Sequence, residues 1–133
     1  MRGGHIDIQF EDVRENRTMW ICLNDGFVSV VADKGDSKRL MVRARRKQDL
    51  INICGADAEV IENAGTDYRW RTFVDRRAFA SLVAARVGDI RYTNFKNSVS
   101  DHDLHEMYFD FWDRHRRYQE QSERRRAQRQ GDR

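Results

Sequence analysis

The hydrophobic positions follow a strand-like period through most of the chain and a helical one at three places. Ile6, Ile8 and Phe10 alternate with Asp7, Gln9 and Glu11, as in a short edge strand, and residues 12–17 then break the alternation. Residues 1–18 are therefore read as an N-terminal extension. Met19-Trp20-Ile21-Cys22-Leu23 and Phe27-Val28-Ser29-Val30-Val31-Ala32 are rich in strand formers and flank Asn24-Asp25-Gly26, residues that tolerate positive φ. This predicts a hairpin. After a turn at residues 33–37, Leu40, Val42 and Ala44 alternate with Met41, Arg43 and Arg45, so one side of a half-buried antiparallel strand carries guanidinium groups.

A short helix is predicted over about 47–53, with Gly55 as its cap. Strands follow at 58–63 and 68–74. In the second, strict alternation places Tyr68, Trp70, Thr72 and Val74 on one side and Arg69 and Arg71 on the other. Asp75 is suited to cap a helix over about 76–87, with Phe79, Leu82, Val83 and Val87 at helical spacing, and residues 89–92 read as a short last strand. Tyr92 and Phe95 anchor the connection to a last helix at 101–117. There Leu104, Met107, Tyr108, Phe111, Trp112 and His115 form one stripe, which stops beyond Tyr118. The order predicts an α+β fold: an antiparallel sheet with helices packed on one face, built on a ferredoxin-like βαββα core with an N-terminal β-hairpin strand and a long C-terminal helix added. The organisation expected is one α+β domain over 19–117, followed by an Arg-rich tail over 118–133.

Composition sharpens this picture at two points. Charged residues make up 35% of the 133, yet seven Phe, three Trp and four Tyr supply a core. Charge is also uneven. Residues 114–133 hold eight arginines against Glu120, Glu123 and Asp132, a balance of +5, so the remainder of this +3 chain carries −2. The basic segment reads as a solvated helix end that frays, or as a phosphate-attracting arm. No apolar run approaches the roughly 20 residues of a membrane span or the core of a secretory signal, so a soluble, cytoplasmic protein without a membrane partner is expected. Cys22 and Cys54 are too few for a disulfide framework and read as reduced thiols.

Candidate chemistry is sparse. Asp101, His102, Asp103, His105, Glu106 and Asp110 could line a helix, but acidic residues are also what a helix N-terminus favours, and no metal site is assigned. No serine has a nucleophile-elbow context, and the glycines form neither a phosphate loop nor a dinucleotide fingerprint, so no cofactor and no catalytic residue is expected. The surface positions singled out are Arg43, Arg45, Arg69 and Arg71, a ladder of guanidinium groups beside Tyr68 and Trp70, together with Arg124, Arg125 and Arg126. Like charges opposite one another require acidic partners nearby, and Glu59 and Glu62 are the candidates.

Met19-Trp20, residues 25–31, Val42-Arg43-Ala44-Arg45, Asp67-Tyr68-Arg69-Trp70, Tyr92-Thr93-Asn94-Phe95-Lys96 and the closing aromatic helix together resemble a family of small bacterial and phage proteins with no established activity. The resemblance covers about residues 19–117. It implies an α+β domain and carries over no functional residue. The expected function is that of a non-enzymatic interaction or regulatory protein. It would have a protein partner, in the manner of a phage-type inhibitor of a host complex, or form a homodimer through the aromatic helix. The alternative is a nucleic-acid-binding accessory protein using the sheet arginines and the basic tail.

Overall fold

A computed structural model describes residues 18–63 and 65–132. The reading of residues 1–18 as an extension lies outside these, Thr18 apart. Strand β1 (Met19–Leu23) and strand β2 (Gly26–Asp33) form the expected hairpin, joined by the two-residue loop Asn24-Asp25. The loop closes without positive φ: Gly55 alone, among the described residues, adopts it. Polar clamps from two helices hold it. The Asn52 side chain donates to the Asp25 carbonyl at 2.8 Å, and Arg86 bonds both Asp25 carboxylate oxygens.

Strand β3 (Asp36–Ala44) pairs with β2 and leads into helix α1 (Lys47–Cys54). That helix ends at Gly55, whose φ of +100° lets its N–H return to the Ile51 carbonyl at 2.9 Å. Strand β4 is only Ile61–Glu62, shorter than the predicted 58–63, and strand β5 (Trp70–Asp75) precedes helix α2 (Arg76–Gly88). Asp75 caps α2 by accepting from the Ala78 N–H at 3.0 Å.

The fully antiparallel sheet has the order β1-β2-β3-β5-β4. Within it β3-α1-β4-β5-α2 gives the order β3-β5-β4, the split arrangement anticipated from sequence. The predicted last strand at 89–92 does not form. The position beside β3, where the closing strand of this arrangement would pair, is taken by β2.

Both helices cover one sheet face. Val28 and Val30 of β2 and Leu40, Val42 and Ala44 of β3 are buried there with Leu50, Ile53 and Phe79, and Trp70, Val74 and Val83 pack at the margin. This is the period-2 pattern of a half-buried sheet meeting one helical stripe. The stripe predicted for α2 is narrower than expected: Leu82 and Val87 are exposed.

The chain divides into two compact units, the first ending at Arg91 and the second beginning at Tyr92. In the second, a 3-10 turn (Lys96–Ser98) precedes helix α3 (His102–Gly131), capped by Asp101 through the Leu104 N–H at 2.9 Å. The rings of Tyr92, Phe95, Tyr108 and Phe111 follow one another at centroid distances of 5.8, 5.1 and 6.0 Å, and Val99, Leu104 and Tyr108 are buried. The helix continues fourteen residues past the predicted end at 117, as one 30-residue element. Carboxylates one turn away offset part of the arginine charge along this extension. Arg116 donates to Asp113 at 2.9 Å and to Glu120 at 2.7 Å, and Gln119 donates to Glu123 at 3.1 Å.

Candidate functional site

The sheet face opposite α1 and α2 carries the predicted arginines. Strand register sets Trp20, Ser29, Arg43, Arg71 and Ile61 in one row across all five strands. Arg43 and Arg71 are thus directly opposed. Their guanidinium groups find neutral partners: Arg43 Nη2 donates to Ser29 Oγ at 2.8 Å, and Arg71 Nη2 donates to Thr66 Oγ1 at 2.5 Å and to the Tyr68 carbonyl at 3.4 Å.

Tyr68 is not on the core face that strict alternation gave it. Residues 67–69 bend ahead of β5, and the buried ring lies against the guanidinium carbons of Arg45 at 3.9 Å and Arg43 at 4.6 Å from its centroid. Such stacking is favourable because the ring face is electron-rich. Arg39 stacks likewise on Phe73 at 4.7 Å.

The other two sheet arginines are neutralised. Arg45 bonds the Asp67 carboxylate at 2.9 Å, and this bond holds Asp67 below the usual carboxylate range and raises Arg45. Arg69 meets Glu62 at 2.6 Å, as expected for Glu62, and lies 5.7 Å over Trp70. The four predicted positions therefore split into two ion pairs and one opposed pair, Arg43 and Arg71, without a carboxylate partner among the described residues.

The second candidate region is the far part of α3. Every residue from Arg114 to Asp132 is exposed. At about 100° per residue, Arg114, Arg117, Tyr118, Gln121, Arg124, Arg125, Gln128 and Arg129 occupy an arc of roughly 140°. No carboxylate falls in that arc between 114 and 129, and of its arginines Arg117 meets a carboxylate just outside it, Asp113, at 3.4 Å. Glu120 and Glu123 project elsewhere and accept from Arg116 and Gln119. Arg124 and Arg125 lie in the arc, whereas the third predicted position, Arg126, stands about 100° round the helix from Arg125. Arg114, Arg117 and Arg129 complete the face and were not singled out from sequence. Their helical spacing was the available signal.

Other chemistry has little support in the geometry. Asp101 caps α3, His102 and Glu106 are exposed, and among the described residues no three His, Cys, Asp or Glu side chains converge to hold a metal ion. Burial pushes the Cys54 thiol up to about 11, so it stays protonated at neutral pH. Its alkylation is therefore expected to be slow at pH 8 and to accelerate about tenfold per pH unit until near 11. A rate that levels off near pH 9, followed by mass spectrometry, would contradict this. Among the described residues no helix is long and apolar enough to cross a membrane.

The fold and these surfaces define an α+β protein with a basic helical arm. No family model, curated protein or solved structure matches the chain.

Proposed function

We propose that this is a non-enzymatic nucleic-acid-binding accessory protein whose recognition element is the outer part of α3. The observation that carries the reading is the carboxylate-free arc of five arginines on an exposed helix. An α-helix with its side chains is about 10–12 Å across, which matches the roughly 12 Å width of the B-form major groove. The groove of A-form RNA is too narrow to admit it. Arg114 and Arg129 lie about 22 Å apart along the axis, within one turn of a duplex. Arginines at that spacing neutralise phosphates on the groove walls, while Gln121, Gln128 and Tyr118 supply neutral hydrogen-bonding groups between them. Cytoplasmic residence and reduced thiols are compatible with such a partner.

Binding driven by five phosphate contacts releases counterions, and log K should fall against log salt with a slope of about −4.5. Between 50 and 200 mM salt that is roughly a 500-fold loss of affinity for duplex DNA. Fluorescence anisotropy with a labelled duplex measures it. Absence of binding at 50 mM salt would refute the reading.

A second reading, a protein partner or second copy docking on α3, rests on Phe109 and Trp112. Their rings are 5.8 Å apart and both are exposed, with Lys96 Nζ 4.0 Å over the Trp112 ring. Exposed aromatics of this kind anchor protein interfaces, those of a phage-type inhibitor included. A solution mass of twice 15.9 kDa, reduced to one by Trp112→Ala, would favour the second copy.

A further inference from the structure

The sheet arginines left over by the ion pairs pose a separate electrostatic problem. Residues directly opposite in an antiparallel pair have Cα atoms about 4.5–5.5 Å apart, so Arg43 and Arg71 bring two full positive charges together in the middle of the sheet. Like charges so placed are destabilising, and partly buried guanidinium groups are ordinarily paired. Here the Asp67 carboxylate, which the Arg43 charge also reaches, is hydrogen-bonded to Arg45.

The unmatched groups are also all of one kind. Arg43 Nε and Arg71 Nε are buried without a hydrogen-bond partner. Ser29, fully buried in the same row, accepts from Arg43 and donates its own proton to no described group. Thr66 differs, because its one hydroxyl proton has the Tyr68 carbonyl at 2.8 Å and the Asn63 carbonyl at 3.0 Å as acceptors while its oxygen accepts from Arg71. Among the described residues the surplus is therefore two guanidinium N–H donors and one hydroxyl donor with excess positive charge, and no buried side-chain acceptor is left without a partner. A group that supplies several acceptor oxygens and negative charge is the complement.

We propose that Arg43, Arg71 and Ser29 form a binding site for a small tetrahedral oxyanion of the phosphate class. Arginine forks on neighbouring strands suit a tetrahedral anion, which offers oxygens to both at once. The donors are buried, so the anion must shed much of its hydration and be small. The flexible phosphates of a polymer backbone fit the exposed arc of α3 instead. This site is thus independent of the proposed nucleic-acid arm. The phosphoryl group could arrive as free phosphate or as the terminal group of a monoester such as a nucleotide.

The test is thermal unfolding of the full chain in sodium phosphate against sodium chloride, at one pH and matched ionic strength. Phosphate is expected to raise the wild-type Tm saturably, by about 5 °C at saturation. Arg43→Gln and Arg71→Gln remove one of the two repelling charges. In chloride each should melt at or above the wild-type temperature, and in phosphate each should melt below wild type because it no longer responds. Arg71→Lys, which keeps the charge and loses the Nε donor, should weaken phosphate binding about tenfold and serves if a glutamine variant does not fold. Equal stimulation by AMP would identify a monoester as an acceptable source, and stimulation by inorganic phosphate alone would identify the free ion. A wild-type Tm indifferent to phosphate, or variants that respond as wild type does, would overturn the proposal. The second outcome would locate the anion elsewhere, and neither bears on DNA binding by α3.

Discussion

Replacing Asp49 by alanine is expected to destabilise the first unit by about 3 kcal/mol. Asp49 lies in the first turn of α1 and is 3% exposed, yet it carries a carboxylate. One oxygen accepts the Phe27 N–H at 3.2 Å and the other accepts from Arg46 at 3.0 Å. It therefore joins the start of β2 to the start of α1, at a helix N-terminus that has no side-chain cap of its own. A carboxylate in that first turn also suits the positive end of the helix dipole. Gly26 completes the arrangement: a Cβ there would lie 3.1 Å from both the Cα and the Cβ of Asp49, so a larger residue would push the helix back by a few tenths of an ångström. Alanine at 49 removes an acceptor of the Phe27 N–H and a counter-charge of Arg46. Asparagine keeps one acceptor oxygen and should cost about half as much. Urea denaturation of the three proteins measures the differences through the midpoint. A loss below about 1 kcal/mol for alanine would show that Asp49 does not hold the two elements together.

Asp49 also marks where the sequence was legible and where it was not. Leu40, Val42 and Ala44 alternate with Arg43 and Arg45, and the core face follows from that period. The caps at Asp75 and Gly55 were legible because each is a local match of residue type to backbone need. A buried Asp49 was not, because its partner at Phe27 is 22 residues away and nothing in the local pattern separates it from an exposed helical acid. Tyr68 departs from alternation because the bend before β5 lies outside the strand, where period 2 no longer applies. The opposition of Arg43 to Arg71 depends on register across a strand pair, and Arg45 and Arg69 find their carboxylates through loop positions at Asp67 and the short strand β4. The end of α3 at 131 is not marked in the sequence, because beyond Tyr118 there is no apolar stripe to bound it and only charge pairs one turn apart accompany the helix.

That same separation of packing from charge gives the second large effect. Ending the chain after Tyr118 is expected to leave the Tm within about 2 °C, because surface substitutions and losses in exposed segments seldom exceed about 0.5 kcal/mol. Buried contacts in the second unit are made by Val99, Leu104 and Tyr108, all retained. DNA binding should respond quite differently. The truncation removes Arg124, Arg125 and Arg129 from the arc and keeps Arg114 and Arg117. With two phosphate contacts in place of five, the salt slope should drop from about −4.5 to about −1.8. Substituting only Arg124, Arg125 and Arg129 by glutamine should reproduce that slope, while Arg126→Gln, outside the arc, should change it by much less than one unit. Anisotropy across a salt series reads all of these on folded protein, and calorimetry on the same samples reads the Tm. Equal slopes for the truncated and intact chains would remove α3 as the recognition element, and a large fall in Tm would mean that its outer turns are held by contacts their exposure does not suggest.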